Sequence, residues 1–125
     1  MIKKKNKIIY TAFFLLVAFT HSLQAYNYRY IDTQLRDAAQ EGDLELVKSL
    51  IEQGADVNAV DAVFWRTPLN VSAKAGHFDV VKYLVKKGAD VHYKDRTGQT
   101  ALDRTRDEKI AKYLKKKMKK RWFWF

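Results

Sequence analysis

A phrase written twice, 34 residues apart, limits the fold more than any other feature of the sequence. Thr33, Leu35, Ala39, Gly42, Val47, Lys48 and Leu50 recur as Thr67, Leu69, Ala73, Gly76, Val81, Lys82 and Leu84. Gly54-Ala55-Asp56-Val57 recurs as Gly88-Ala89-Asp90-Val91 and Asp61 recurs as Asp95, so 12 of the 29 residues from Thr33 to Asp61 are repeated. A fixed period of this length belongs to solenoids, in which no unit buries its apolar face alone and each must stack on a neighbour.

The second copy spells out its own local structure. Thr67 is a helix cap, and Pro68 takes the first helical position, where its missing N–H costs nothing. Leu69, Ser72 and Ala73 share one face, and their small members let a neighbouring helix approach closely. Gly76 ends that helix, and His77-Phe78-Asp79 opens another in which Val80, Val81, Leu84 and Val85 form an apolar stripe opposite Lys82, Lys86 and Lys87. Gly88 suits a left-handed stop, Asp95-Arg96-Thr97-Gly98 suits a turn, and Thr100 begins the next helix.

The run T-P-L-N-V-S-A-K-A-G-H from Thr67 to His77, followed by V-V-K-Y-L-V-K-K-G-A-D-V, resembles an ankyrin repeat. So do the paired glycines and the D-R-T-G-Q-T-A-L opening of the next unit. The resemblance implies an all-α ankyrin-repeat solenoid of about three helix-turn-helix units with short hairpin loops, at about 33–60, 61–94 and 95–114. It also implies a noncatalytic module that binds a protein partner on its concave face. Three departures stand out. The histidine usual after the leucine is replaced by Arg36, Asn70 and Asp103. The hairpin from Asp61 to Thr67 is one residue longer than that from Asp95 to Thr100 and lacks glycine, which predicts an irregular tip. The third unit reaches Ile110 from Leu102 in eight steps where Leu69 to Val80 takes eleven, which predicts a degenerate cap shortened around its inter-helix turn. Residues 26–32 are read as an N-terminal segment whose Tyr28, Tyr30 and Ile31 cover the first unit.

Residues 1–25 have the order of a secretory signal peptide: Lys3, Lys4, Lys5 and Lys7, then an apolar run from Ile8 to Phe19, then a polar stretch ending Leu23-Gln24-Ala25. That run is short against the roughly 20 residues of a spanning helix. Cleavage after Ala25 and export, to a periplasm or beyond, is therefore expected, with an uncut membrane anchor as the alternative. The chain has no cysteine, so packing alone must stabilise it. The formal net charge is +10, but residues 26–114 balance at 14 basic and 14 acidic residues. The surplus lies at the two ends.

Residues suited to catalysis or metal binding are few. His21 falls in the signal segment, His77 sits at the family's glycine-histidine corner, and His92 has no neighbouring ligand to share a metal with. Asp56, Asp61, Asp90 and Asp95 recur with the repeat, which argues for turn-making. With no glycine-rich phosphate loop either, no enzyme activity, cofactor or metal is expected.

Two stretches exceed what a repeat scaffold needs. Val63-Phe64-Trp65-Arg66 puts apolar bulk at a hairpin tip, and Trp and Arg are common anchors of protein interfaces. By the family resemblance, partner-binding positions are Gln40, Glu41, Val63, Phe64, Trp65, Arg66, Lys74, Arg96, Thr97 and Gln99. The second is the tail, residues 115–125, with Lys115, Lys116, Lys117, Lys119, Lys120 and Arg121 followed by Trp122 and Trp124. Basic charge beside tryptophan suits an anionic membrane surface, the alternative function. Nucleic acid is the less favoured partner, and a monomer is expected.

Overall fold

The structure, a computed structural model, describes residues 2–119. It contains helices joined by hairpin loops, with no strand among the described residues. Helix α1 runs Ile2–Glu41, α2 Leu44–Glu52, α3 Pro68–Ala75, α4 Phe78–Lys86, α5 Ala101–Arg104 and α6 Glu108–Lys119. The chain divides into two compact units, one ending at Tyr30 and the other beginning at Ile31. In the first, every described side chain is exposed, and Phe14 exposes 80 % of its surface. Its helix is long and apolar enough to cross a membrane by length and composition.

Helix α1 is unbroken at Thr33, although the equivalent Thr67 caps a helix. The reason is local. Gln34 stands where Pro68 follows Thr67, and no glycine or proline precedes Gly42, so nothing interrupts the backbone ladder. Of the three residues expected to cover the first unit, Ile31 is buried, and Tyr28 and Tyr30 are about half exposed.

The second unit is built from two helix rows. Helix α3 packs against α5, while α2 packs against α4 and α4 against α6; α3 and α4 form the closest pair within the middle repeat. Leu35, Ala39, Val47, Leu50, Leu69, Ala73, Val80, Val81, Leu84, Ile110 and Leu114 make one continuous core. The repeated small and branched positions are thus the ones sealed from water. Each fully buried leucine contributes about 1.5–3 kcal/mol by transfer from water.

The helix ends follow the residues that make them. Thr67 Oγ1 accepts the Asn70 amide while Asn70 Oδ1 accepts the Thr67 amide, and Thr100 and Asp103 repeat this reciprocal box. Two positions that usually hold histidine have therefore become capping partners, leaving Asn70 Nδ2 without a hydrogen-bond partner among the described residues. In the first repeat Arg36 donates to Thr33 Oγ1 at 3.4 Å. His77 Nε2 lies 3.0 Å from the Gln40 carbonyl, and its ring occupies the space a Cβ on Gly42 would need, at 2.5 Å. Glycine is required at 42 both for that contact and for its φ of +82°.

Side chains also stitch the array together. Asp32 Oδ1 accepts the Asp56 amide at 2.8 Å; Asn58 Oδ1 accepts the Asp90 amide at 2.8 Å while its Nδ2 donates to the Gly88 carbonyl at 3.2 Å. His92 stands one period after Asn58, and its Nε2 is buried without a partner among the described residues.

The third repeat is shortened, but not where the spacing suggested. The missing residues come out of the helix: α5 has four residues against eight in α3. Where Gly76 closes α3 in the left-handed region, Thr105 leaves α5 extended at φ −78°, ψ 143°. Three loop residues later α6 starts, with the Ile110 amide donating to Asp107 Oδ1 at 2.9 Å.

Candidate binding groove

The missing turn of α5 leaves space beside α3. A cleft of about 460 Å³ is lined by Lys74, Gln99, Asp103, Arg104, Thr105 and Arg106. A smaller depression of about 240 Å³ is lined by Gln40, Arg66, Val71, Lys74 and Ala75. Lys74 thus lines both hollows, whose other residues come from the end of α1, the first hairpin, α3, the second hairpin, α5 and the α5–α6 loop.

Two hairpins flank this groove, each organised by an aspartate. Asp61 accepts the amides of Val63, Phe64 and Arg66, and its Oδ2 meets Arg66 Nε at 3.1 Å. Burial pushes the Asp61 carboxyl up, but the Phe64 and Arg66 amides and the Arg66 guanidinium outweigh it and hold the pKa at about 2. Asp95 accepts the amides of Thr97 and Gln99, the Thr97 hydroxyl, and Arg104 Nε. Burial opposes its charge too, yet the Arg104 guanidinium and the Thr97 hydroxyl keep it well below the usual carboxylate range. The hairpins are linked: the Arg96 amide donates to the Phe64 carbonyl at 3.0 Å and Arg96 Nη1 to the Val63 carbonyl at 3.1 Å. Asp56 and Asp90 make smaller turns of the same kind, accepting the amides of Asn58 and His92.

At the first tip, Val63, Phe64 and Trp65 expose 57, 48 and 51 % of their surfaces. Arg66 is half-buried, with its guanidinium 4.6 Å from the centre of the Phe64 ring. Trp65 has φ +55°, the one non-glycine residue with positive φ among the described residues.

The ten positions nominated from the sequence fall into three groups. Gln40, Arg66, Lys74 and Gln99 line the groove. Val63, Phe64 and Trp65 form the exposed tip beside it. Arg96 and Thr97 are exposed but also brace the hairpins, and Glu41 ends α1 without lining either hollow. Asp103, Arg104, Thr105 and Arg106 were not among the nominated positions, although they make most of the larger cleft. Their signal was the short third repeat, because a missing helical turn exposes the residues at which the helix stops.

In the tail, Lys115, Lys116 and Lys119 are exposed and Lys117 is half-buried with its ammonium 5.4 Å from the Tyr113 ring centre. Lys120, Arg121, Trp122 and Trp124 lie outside the described residues.

The stitched repeats, the reciprocal caps and the two helix rows are those of an ankyrin array, and a family model for ankyrin repeats, three copies, matches residues 35–121. The chain belongs to the ankyrin-repeat family. A search among curated proteins found none that matches it. Members of the family are in general noncatalytic protein–protein interaction modules.

Proposed function

We propose that this protein is exported and works as a noncatalytic module that takes a protein partner along the groove beside Lys74 and the hairpin tip at Trp65. The observation that carries this reading is the tip itself. Three large apolar side chains are held in solvent by a hairpin whose Asp61 carboxylate accepts the Val63, Phe64 and Arg66 amides, and one of them sits in a backbone region that disfavours it. A rigid tryptophan presented this way buries a large area on contact while losing little rotamer freedom. The apolar segment of residues 1–25, exposed throughout its described part, supports delivery to a membrane export route. Sequencing the N-terminus of exported protein tests that step, and an intact Met1 on it argues for the anchor instead. For the binding role, a partner retained by the native chain is expected to be lost by a variant carrying Phe64→Ala and Trp65→Gly with an unchanged circular dichroism spectrum. Equal retention moves the site elsewhere.

A second reading rests on α6, which continues as a helix to Lys119 with Lys115, Lys116 and Lys119 exposed. It makes the tail a membrane-surface contact, with Trp122 and Trp124 at headgroup depth. Binding to anionic vesicles that weakens but persists as salt rises, and that disappears on removal of residues 115–125, supports this reading. Vesicle binding untouched by that truncation refutes it.

A further inference from the structure

We infer that the cleft between Lys74 and Arg106 receives an acidic peptide segment of the partner, an inference that rests on the protein-binding reading above. Charge is locally sorted in the repeat array. Residues 26–114 balance at 14 basic and 14 acidic residues, so the body has no cationic surplus to spread over its surface. Yet the two hollows are lined by Arg66, Lys74, Arg104 and Arg106 against the single carboxylate of Asp103.

That carboxylate is already engaged. Asp103 Oδ2 accepts the Thr100 amide at 2.9 Å and the Thr100 hydroxyl at 2.8 Å, and those bonds hold its pKa below the ordinary value. Arg66 and Arg104 are held by Asp61 and Asp95, while Lys74 and Arg106 make no ion pair among the described residues. Both line the larger cleft, as do Gln99 and Thr105, which are neutral hydrogen-bonding groups. An incoming carboxylate there meets two unspent cations and no free anion. The nearest carboxylates on α1, Asp37 and Glu41, are exposed and line neither hollow.

The shape argues for a segment of chain. The two hollows share Lys74, and Arg66 of the smaller one follows the exposed Trp65 in the chain, so one surface carries cations at the α5 end and apolar side chains at the hairpin end. A small anion would fill only one part of it. An extended peptide with carboxylates toward Arg106 and an apolar residue toward Trp65 fills the whole.

The test uses the full chain in a non-ionic detergent and a fluorescein-labelled Glu- and Asp-rich peptide, read by fluorescence polarisation. Lys74→Glu combined with Arg106→Glu is expected to weaken binding at least about tenfold, or about 1.4 kcal/mol. Both side chains are exposed and unpaired, so the thermal midpoint should hold. The basic tail also attracts acidic peptides, so Lys82→Glu with Lys86→Glu on the exposed side of α4 is the control; it should change binding little. Equal loss in both double variants would make the binding a general charge effect and overturn the cleft assignment. Complete displacement of the peptide by inorganic phosphate at matched ionic strength would overturn the peptide in favour of a small anion. If a purified partner is lost on Trp65→Gly but ignores Lys74→Glu with Arg106→Glu, the acidic chemistry fails while protein binding at the tip survives.

Discussion

The two hairpins, Asp61 to Thr67 and Asp95 to Thr100, solve one backbone problem with different side chains. Both close by the same bond, from the Asp61 amide to the Arg66 carbonyl at 3.2 Å and from the Asp95 amide to the Gln99 carbonyl at 3.0 Å. Both turn through a left-handed residue just before that carbonyl: Gly98 at φ +78°, and Trp65 at φ +55°. The second hairpin uses the residue that the geometry favours, whereas the first uses the least accommodating kind. They differ also in their arginine. Arg66 comes from within its own loop and leaves 31 % of its side chain exposed, while Arg104 arrives from α5 and exposes 13 % beside a fully buried Asp95. The second hairpin is thus tied into the core, and the first spends its tip on the surface.

The largest expected difference between them lies in the aspartates. Removing one member of a buried charged pair leaves the other uncompensated, so Asp95→Ala should cost about 3–5 kcal/mol in urea unfolding. Asp61→Ala leaves Arg66 able to reach water and should cost about 1–2 kcal/mol. Equal losses would break the distinction between a core hairpin and a surface one.

Acid titration sharpens the same comparison. Each carboxyl binds its proton less readily when folded than when unfolded, so its stabilisation is complete above the ordinary value of 3.8 and disappears as pH falls through the folded value. For Asp61 that loss should run from about pH 4 to about pH 2; for Asp95 it should continue below pH 2. Unfolding measured against pH should therefore be less steep between pH 4 and pH 2 in Asp61→Ala than in the native protein. An unchanged slope would mean that Asp61 holds no protonation-linked stability.

Much of this was legible in the sequence, because the relevant chemistry is local. Thr67-Pro68, Gly76 and Gly88 mark helix ends by what their own backbones permit, and the repeated aspartates read as turn-makers because their partners lie two to five residues on. The groove was half legible. Lys74 and Gln99 follow from their place in the repeat, but Arg104 and Arg106 line the cleft only because α5 stops early, whereas the spacing pointed to the turn as the place that lost residues. Helix α1 escaped for the opposite reason: Thr33 matches a capping threonine in identity but lacks the proline beside it, and the absence of a breaker decided the outcome.

The effect of the left-handed positions is smaller and cleaner. At Gly98 an added Cβ would meet nothing within 4 Å, so Gly98→Ala isolates the backbone preference and should destabilise by about 1 kcal/mol. A neutral result would mean that the loop relaxes to another conformation.

The smallest expected effect says most about what the first hairpin is for. Trp65→Gly removes a left-handed penalty of about 1–2 kcal/mol. Measured against Trp65→Ala, which loses the same half-covered side chain, only the extra freedom of glycine in the unfolded chain, about 0.4–1 kcal/mol, stands against it. Trp65→Gly should therefore be more stable than Trp65→Ala on the order of 0.5 kcal/mol, visible as a slightly higher urea midpoint with an unchanged slope. Position 65 is then one at which the backbone prefers glycine, while either substitution should weaken retention of the partner. A backbone that prefers glycine where recognition needs tryptophan is what a strained binding anchor requires, since stability and recognition then pull on one position in different directions. If Trp65→Gly is no more stable than Trp65→Ala and leaves retention intact, the tryptophan is packing for its own hairpin, and the two hairpins differ in sequence but not in purpose.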